Sequence, residues 1–133
     1  FYLAKDTPYM PDDGFAQAQV LQWMFFEQYS HEPNVAVARY WLHFLDPKGI
    51  DREQLAEKQR KGYEALDVIE QRLSGAEFLV GTGYSIADIA LYAYTHVADE
   101  AEMTLDEYPG IRRWLDRVAE QPGHVLITQE EFP

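Results

Sequence analysis

The sequence contains no cysteine, so no disulfide, thiol nucleophile or cysteine-ligated metal can form from these residues. Its histidines, His31, His43, His96 and His124, are scattered, and His31-Glu32 lacks the His-Glu-x-x-His spacing of a zinc helix. No metal site is expected. Positive charge is scarce: 11 Lys and Arg stand against 23 Asp and Glu, for a formal net charge of −12. That balance repels phosphate backbones and argues against a nucleic-acid partner. No apolar run reaches the roughly 18 residues a membrane-crossing helix needs, and no charged-then-apolar leader opens the chain. A soluble, cytoplasmic protein without a membrane partner is expected. Strand-length alternation of apolar and polar residues is also missing, which leaves an all-α fold. There are no internal repeats and no low-complexity tracts.

What is present suits a packed core. At 133 residues the chain has the length of one domain, able to bury roughly two-thirds of its unfolded surface. Hydrophobic residues make up 47% and aromatic residues 14%, which argues against disorder. The chain starts on the apolar tetrad Phe1-Tyr2-Leu3-Ala4. Residues 1–5 therefore read as the tail of a helix whose earlier turns belong to sequence not present here. Residues 6–14, rich in Pro, Asp and Gly, read as a linker, with Asp12 and Asp13 as candidate N-caps. Residues 15–133 are then one helical domain.

Helical periodicity is strong from Phe15 to Ser30, where Val20, Trp23, Met24, Phe25, Phe26 and Glu27 give a broad face. Pro33 removes a backbone donor, so a kink or break is expected near His31-Glu32. The pattern resumes through Val35, Ala38, Trp41, Leu42 and Leu45 and stops at Asp46-Pro47-Lys48-Gly49. Asp51 to Gln54 read as a capping box opening the next helix, with Glu57 and Lys61 paired on its wet face. Gly75 sits where a left-handed residue would end it. Tyr108-Pro109 begins the last helix and Pro122-Gly123 ends it, before an acidic tail. Arg112, Arg113 and Arg117 read as a solvated face.

Residues 86–98 are apolar nearly all round, as a central helix surrounded by others would be. Tyr84-Ser85-Ile86-Ala87-Asp88-Ile89 opens it: Ser85 as N-cap, Asp88 reaching back to the Ser85 amide, and Tyr84 with Ile89 as a hydrophobic staple. Ser85, Asp88 and His96 are not read as a hydrolase triad, because the first two are engaged as caps. Gly81-Thr82-Gly83 is a turn: no strand precedes it and no Lys follows, so it lacks the parts of a phosphate loop.

The string Phe78-Leu79-Val80-Gly81-Thr82-Gly83-Tyr84-Ser85-Ile86-Ala87-Asp88 resembles the segment leading into the core helix of glutathione transferases. Tyr108-Pro109-Gly110-Ile111-Arg112-Arg113-Trp114-Leu115 is similar to that family's following helix. Leu21-Gln22-Trp23 is similar to the first helix of its C-terminal domain, and Phe1 to Ala4 to the end of its thioredoxin-like domain. The resemblance covers nearly the whole chain in the right order. It implies a helical bundle of about five helices around a buried central one, and a parent enzyme that transfers glutathione to small apolar electrophiles as a homodimer. The family's thiol-activating residue, cis-proline loop and glutathione-carboxylate motif lie in the thioredoxin-like half. No catalytic residue is therefore carried over, and glutathione is a cosubstrate of the intact protein only. By the same resemblance the aromatic helix and its kink line the electrophile cleft. Phe25, Tyr29 and Glu32, spaced i, i+4, i+7, would face it, and His31 would need the kink to turn inward. The other reading is a non-catalytic interaction module of the same fold. The resemblance does not choose among conjugation, peroxidase, isomerase and dehalogenase chemistry.

Overall fold

The computed structural model describes residues 1–81 and 83–127. Thr82 of the expected turn and the acidic tail that closes the expected 15–133 domain lie outside the described residues. The described chain is helical, with five α-helices: α1 Gly14–Phe26, α2 Glu32–Phe44, α3 Arg52–Leu73, α4 Ile86–Thr95 and α5 Pro109–Ala119, the last three separated by the longer segments 74–85 and 96–108. Among the described residues there is no strand.

Local sequence chemistry sets most of these boundaries. Asp13 is the N-cap of α1, its carboxylate accepting from the Ala16 amide at 2.9 Å. Asp51 caps α3 by accepting from the amides of Glu53 and Gln54 at 3.0 and 3.1 Å. The Gln54 side chain donates to the Asp51 carboxylate at 2.9 Å, so its half of the expected box closes on a side chain. The C-terminus of α3 also departs from expectation. Gly75 is not left-handed; positive φ among the glycines belongs to Gly83 and Gly123. Ser74 keeps right-handed geometry, and its hydroxyl donates to the Gln71 carbonyl at 2.9 Å, satisfying that group without a left-handed turn.

Helix α4 is the centre. It packs against α1, α2, α5 and the turn between α1 and α2. Ala87, Asp88, Leu91, Tyr92 and Thr95 are buried, whereas Ile89 keeps one edge open at 44% exposure. Around it Val20, Val35, Leu66, Ile69, Ile111 and Trp114 fill one continuous core. At Gly62 an added Cβ would lie 2.8 Å from Met103 Cε, so the absence of a side chain on α3 lets Met103 seat. The expected linker is docked rather than loose. Met10 is buried, and the Tyr9 carbonyl accepts the Ile86 amide at 3.0 Å, satisfying an orphan donor at the start of α4.

Candidate functional site

The break between α1 and α2 is a π-helical turn, Glu27–His31, inside one continuous right-handed rod. Pro33 explains it. Without an N–H it cannot close an α-helical bond, and the ladder shifts so that the Glu32 amide reaches the Glu27 carbonyl. The neighbouring carbonyls find side chains. Asn34 Nδ2 donates to the Ser30 carbonyl at 2.7 Å, and Lys58 Nζ of α3 donates to the Pro33 carbonyl at 2.7 Å. The first turn of α2, directly after the π turn, is thus anchored to α3 by a charged donor.

The extra residue in the turn redistributes the expected site residues. Phe25 and Tyr29 point outward, 70% and 87% exposed. Glu32 is partly buried. His31 departs from expectation: it turns inward, but toward the core and not toward an open cleft, and it has no exposed surface. Its Nε2 lies 3.0 Å from Thr95 Oγ1, whose hydroxyl donates to the Leu91 carbonyl at 2.6 Å. With that proton committed, Thr95 accepts from Nε2–H, and Nδ1 is left as a buried lone pair without a partner among the described residues. Burial pushes the imidazole down to about 4, so it is neutral at pH 7.

Tyr29 borders a groove of about 530 Å³ between the π turn and α3, with Phe26, Ser30, Pro33, Lys61 and Val68 among its walls. Phe25 stands one turn earlier on the same rod. Glu27, which periodicity placed on the apolar face, is buried at 6% exposure. Burial and then nearby Glu32 push its carboxyl up, while Gln28, donating at 2.7 Å, pulls it down. No sequence signal marked Lys58 or Thr95, because both reach the turn from other helices.

The capping box was legible and is built more deeply than a cap requires. The Asp88 half is closed, the Ser85 amide donating to Asp88 Oδ2 at 3.0 Å. The Ser85 side chain makes no cap bond to a helix amide, and the Asp88 amide bonds the Ser85 carbonyl at 3.0 Å instead. The Ser85 hydroxyl donates to the same Oδ2 at 3.0 Å. Asp88 Oδ1 takes the Leu79 amide at 2.9 Å and Trp114 Nε1 at 3.0 Å. Tyr84 packs edge-on to Tyr9, with ring centroids 5.8 Å apart, and tilted against Phe78 at 5.7 Å. Its expected staple partner, Ile89, keeps 44% of its surface exposed.

Known proteins share this helical fold. The family description "Glutathione S-transferase, C-terminal domain" matches residues 15–122. The chain belongs to the glutathione S-transferase family. The crystal structure of a glutathione S-transferase from Xanthobacter autotrophicus Py2 is 48% identical, with a TM-score of 0.91 over 96% of this chain and 62% of that one. A glutathione transferase from Burkholderia graminis, crystallised with two glutathione molecules per subunit, is 26% identical, with a TM-score of 0.81 over 91% of this chain and 53% of that one. Disulfide-bond oxidoreductase YfcG of Escherichia coli is 29% identical over 135 residues, 97% of this chain and 60% of that protein. The chain thus spans little more than half the length of these relatives. No helix among the described residues is long and apolar enough to cross a membrane.

Proposed function

We propose that this glutathione transferase C-terminal domain supplies the electrophile-binding surface of a homodimeric transferase, with the electrophile against Phe25, Tyr29 and Glu32. In this reading residues 1–5 end a thioredoxin-like domain, 6–14 link the two halves and 15–133 are the helical half. The observation that carries it is the π turn, which holds Tyr29 out at 87% exposure beside Phe25 on a rod anchored to α3. Large aromatic rings on a rigid element offer flat apolar contact at little entropic cost.

In the reaction the glutathione thiolate forms a bond from sulfur to the electrophilic carbon while the leaving group departs. Lowering the thiol pKa is the task of the thioredoxin-like half. The contribution of this chain is to bind and orient the electrophile. Glutathione held by the Burkholderia relative supports glutathione as cosubstrate.

The test uses the two-domain protein carrying this chain, with 1-chloro-2,4-dinitrobenzene as electrophile. Phe25→Ala and Tyr29→Ala should raise KM severalfold while leaving stability within about 0.5 kcal/mol. The 133-residue chain alone should read background. Unchanged kinetics for both variants across several electrophiles would move the electrophile site elsewhere. Turnover by the isolated chain would overturn the division of labour.

A further inference from the structure

The groove beside Tyr29 is polarised along its length. The rod and α3 run in opposite directions there, so Pro33 meets Lys58 at one end while Phe26 and Val68 line the other. Phe26 to Pro33 covers about 10 Å of rod at the rise of a helix. The Phe26 end is apolar, with Ala65 and Val68 across from the ring, and the Pro33 end carries an ammonium. A groove built this way suits a ligand of matching asymmetry, a flat apolar body with an acid at one end.

Lys58 is the cation placed to read that acid. Its side chain borders the groove, the residue is partly buried, and its ammonium is held by the Pro33 carbonyl at 2.7 Å. An ammonium has three donors, and among the described residues Lys58 makes no ion pair. The charges around it are engaged elsewhere. Glu57 is paired with Arg60 at 2.8 Å and with Lys61 at 3.3 Å, and Glu64, on the groove wall, is paired with Arg60. Between residues 57 and 64 three cations stand against two carboxylates, so this stretch of α3 is locally positive on a chain of net charge −12. Among the described residues none after Val68 borders the groove.

We propose that Lys58 is a specificity-determining residue, giving this groove a preference for aromatic electrophiles that carry a carboxylate. The proposal rests on the electrophile reading and names the substrate class of that same groove. The ring lies against Tyr29 and Phe26, and the carboxylate reaches the Lys58 ammonium, with the Ser30 hydroxyl bordering the groove as a second donor. A hydrogen bond between two charged groups is about twice as strong as a neutral one. Because the Pro33 carbonyl already fixes the ammonium, little side-chain freedom is lost on binding. The bond chemistry is unchanged: the glutathione sulfur bonds to a ring carbon and the leaving group departs with its electron pair. The carboxylate is a handle and takes no part in that step.

The test uses the two-domain protein at saturating glutathione, with 3,5-dinitrobenzoate and 3,5-dinitrobenzamide as competitors of 1-chloro-2,4-dinitrobenzene. The two competitors share a ring and its nitro groups, carry no chloride to displace, and differ in charge. The acid should inhibit about fivefold more tightly than the amide. That gap should narrow between about 0.05 M and about 0.5 M NaCl, with the amide unchanged. Lys58→Gln can still donate to the Pro33 carbonyl but has no charge. It should close the gap by weakening the acid alone, and Lys58→Arg should keep the gap open. Equal inhibition by acid and amide, a gap indifferent to salt, or a gap that survives Lys58→Gln would overturn the preference, while a raised KM in Tyr29→Ala for the neutral electrophile would still support the groove. An unchanged KM in Tyr29→Ala would overturn the groove reading itself, and this proposal with it.

Discussion

Asp88 has no exposed surface, yet its two carboxylate oxygens collect four donors: the Leu79 amide, the Trp114 indole, and the amide and hydroxyl of Ser85. Burial pushes its carboxyl above the ordinary range while those donors work against it. Asp88→Ala strands several donors in the core and should cost about 3 kcal/mol or more. Asp51→Ala removes an exposed cap and should shift the urea midpoint much less; equal shifts would mean that α4 opens toward solvent. The Ser-x-x-Asp spacing made the local half of this network readable. Leu79 and Trp114 join it only through the tertiary fold, so no spacing could announce them. His31 shows the same limit. The sequence marked a break beside Pro33, but an α-helical register could not show that the π turn swings this imidazole against Thr95. Its pH consequence has a definite sign. The folded imidazole titrates at about 4 and its ordinary value is 6.5, so the unfolded chain binds more protons between them. Stability attached to this group is present above 6.5 and falls as pH drops toward 4, by about 2 kcal/mol between pH 7.5 and pH 5. Urea melts of the unaltered chain and of His31→Gln across that window should differ in slope. Parallel curves would show that His31 is protonated, or solvated, in the folded chain.

Helix α5 shows how an element can be legible in outline and hidden in its support. Pro109 at its first turn and Pro122-Gly123 after its end were enough to place it. Its N-cap residue, Tyr108, makes no side-chain cap bond. The orphan amides of Gly110 and Ile111 instead donate to Glu70 Oε1 and Oε2 at 2.8 Å each, and the carboxylate comes from α3. A built Cβ at Gly110 would lie 2.9 Å from both carboxylate oxygens, so glycine is what lets them approach. Tyr108 adds a second tie to α3 by donating to Asp67 at 2.9 Å. Glu70 thus acts as a cap lent by another helix, with its negative charge at the positive helix end. Glu70→Ala should cost about 1–2 kcal/mol and speed hydrogen exchange at Gly110 and Ile111. Glu70→Gln, which keeps one acceptor oxygen, should fall between the two. Exchange at those amides unchanged by Glu70→Ala would mean that α5 holds its start by packing alone.

At the scale of the molecule, the fold was legible because period and punctuation agree along nearly the whole chain, whereas its uncovered surface was only partly so. Trp23 and Phe26, on the broad face of the first helix, are half-buried and meet edge-on at 5.5 Å. Among the rings left outside are Phe1 and Tyr2 at the first residues, Phe15 and Phe25 before the π turn, Tyr29 in it, and Tyr40 and Phe44 beyond it, each more than half exposed. Tyr40 and Phe44 stack on each other at 5.5 Å, an apolar patch already formed on the free chain. Rings of this size expose on the order of 100 Å² or more each, so the set approaches the area one partner contributes to a stable interface. Two forces then compete. Apolar burial favours self-association, while a net charge of −12 on every copy opposes it. Salt separates them, because it screens the repulsion and leaves the apolar term in place. The 133-residue chain should therefore self-associate at high concentration, and more strongly at about 0.5 M NaCl than at about 0.05 M. Light scattering at both salts reads this directly. Phe25→Ser with Tyr29→Ser should weaken the association without changing the melt, since neither ring is buried. A monodisperse monomer at both salts would show that these rings face no second copy of the chain.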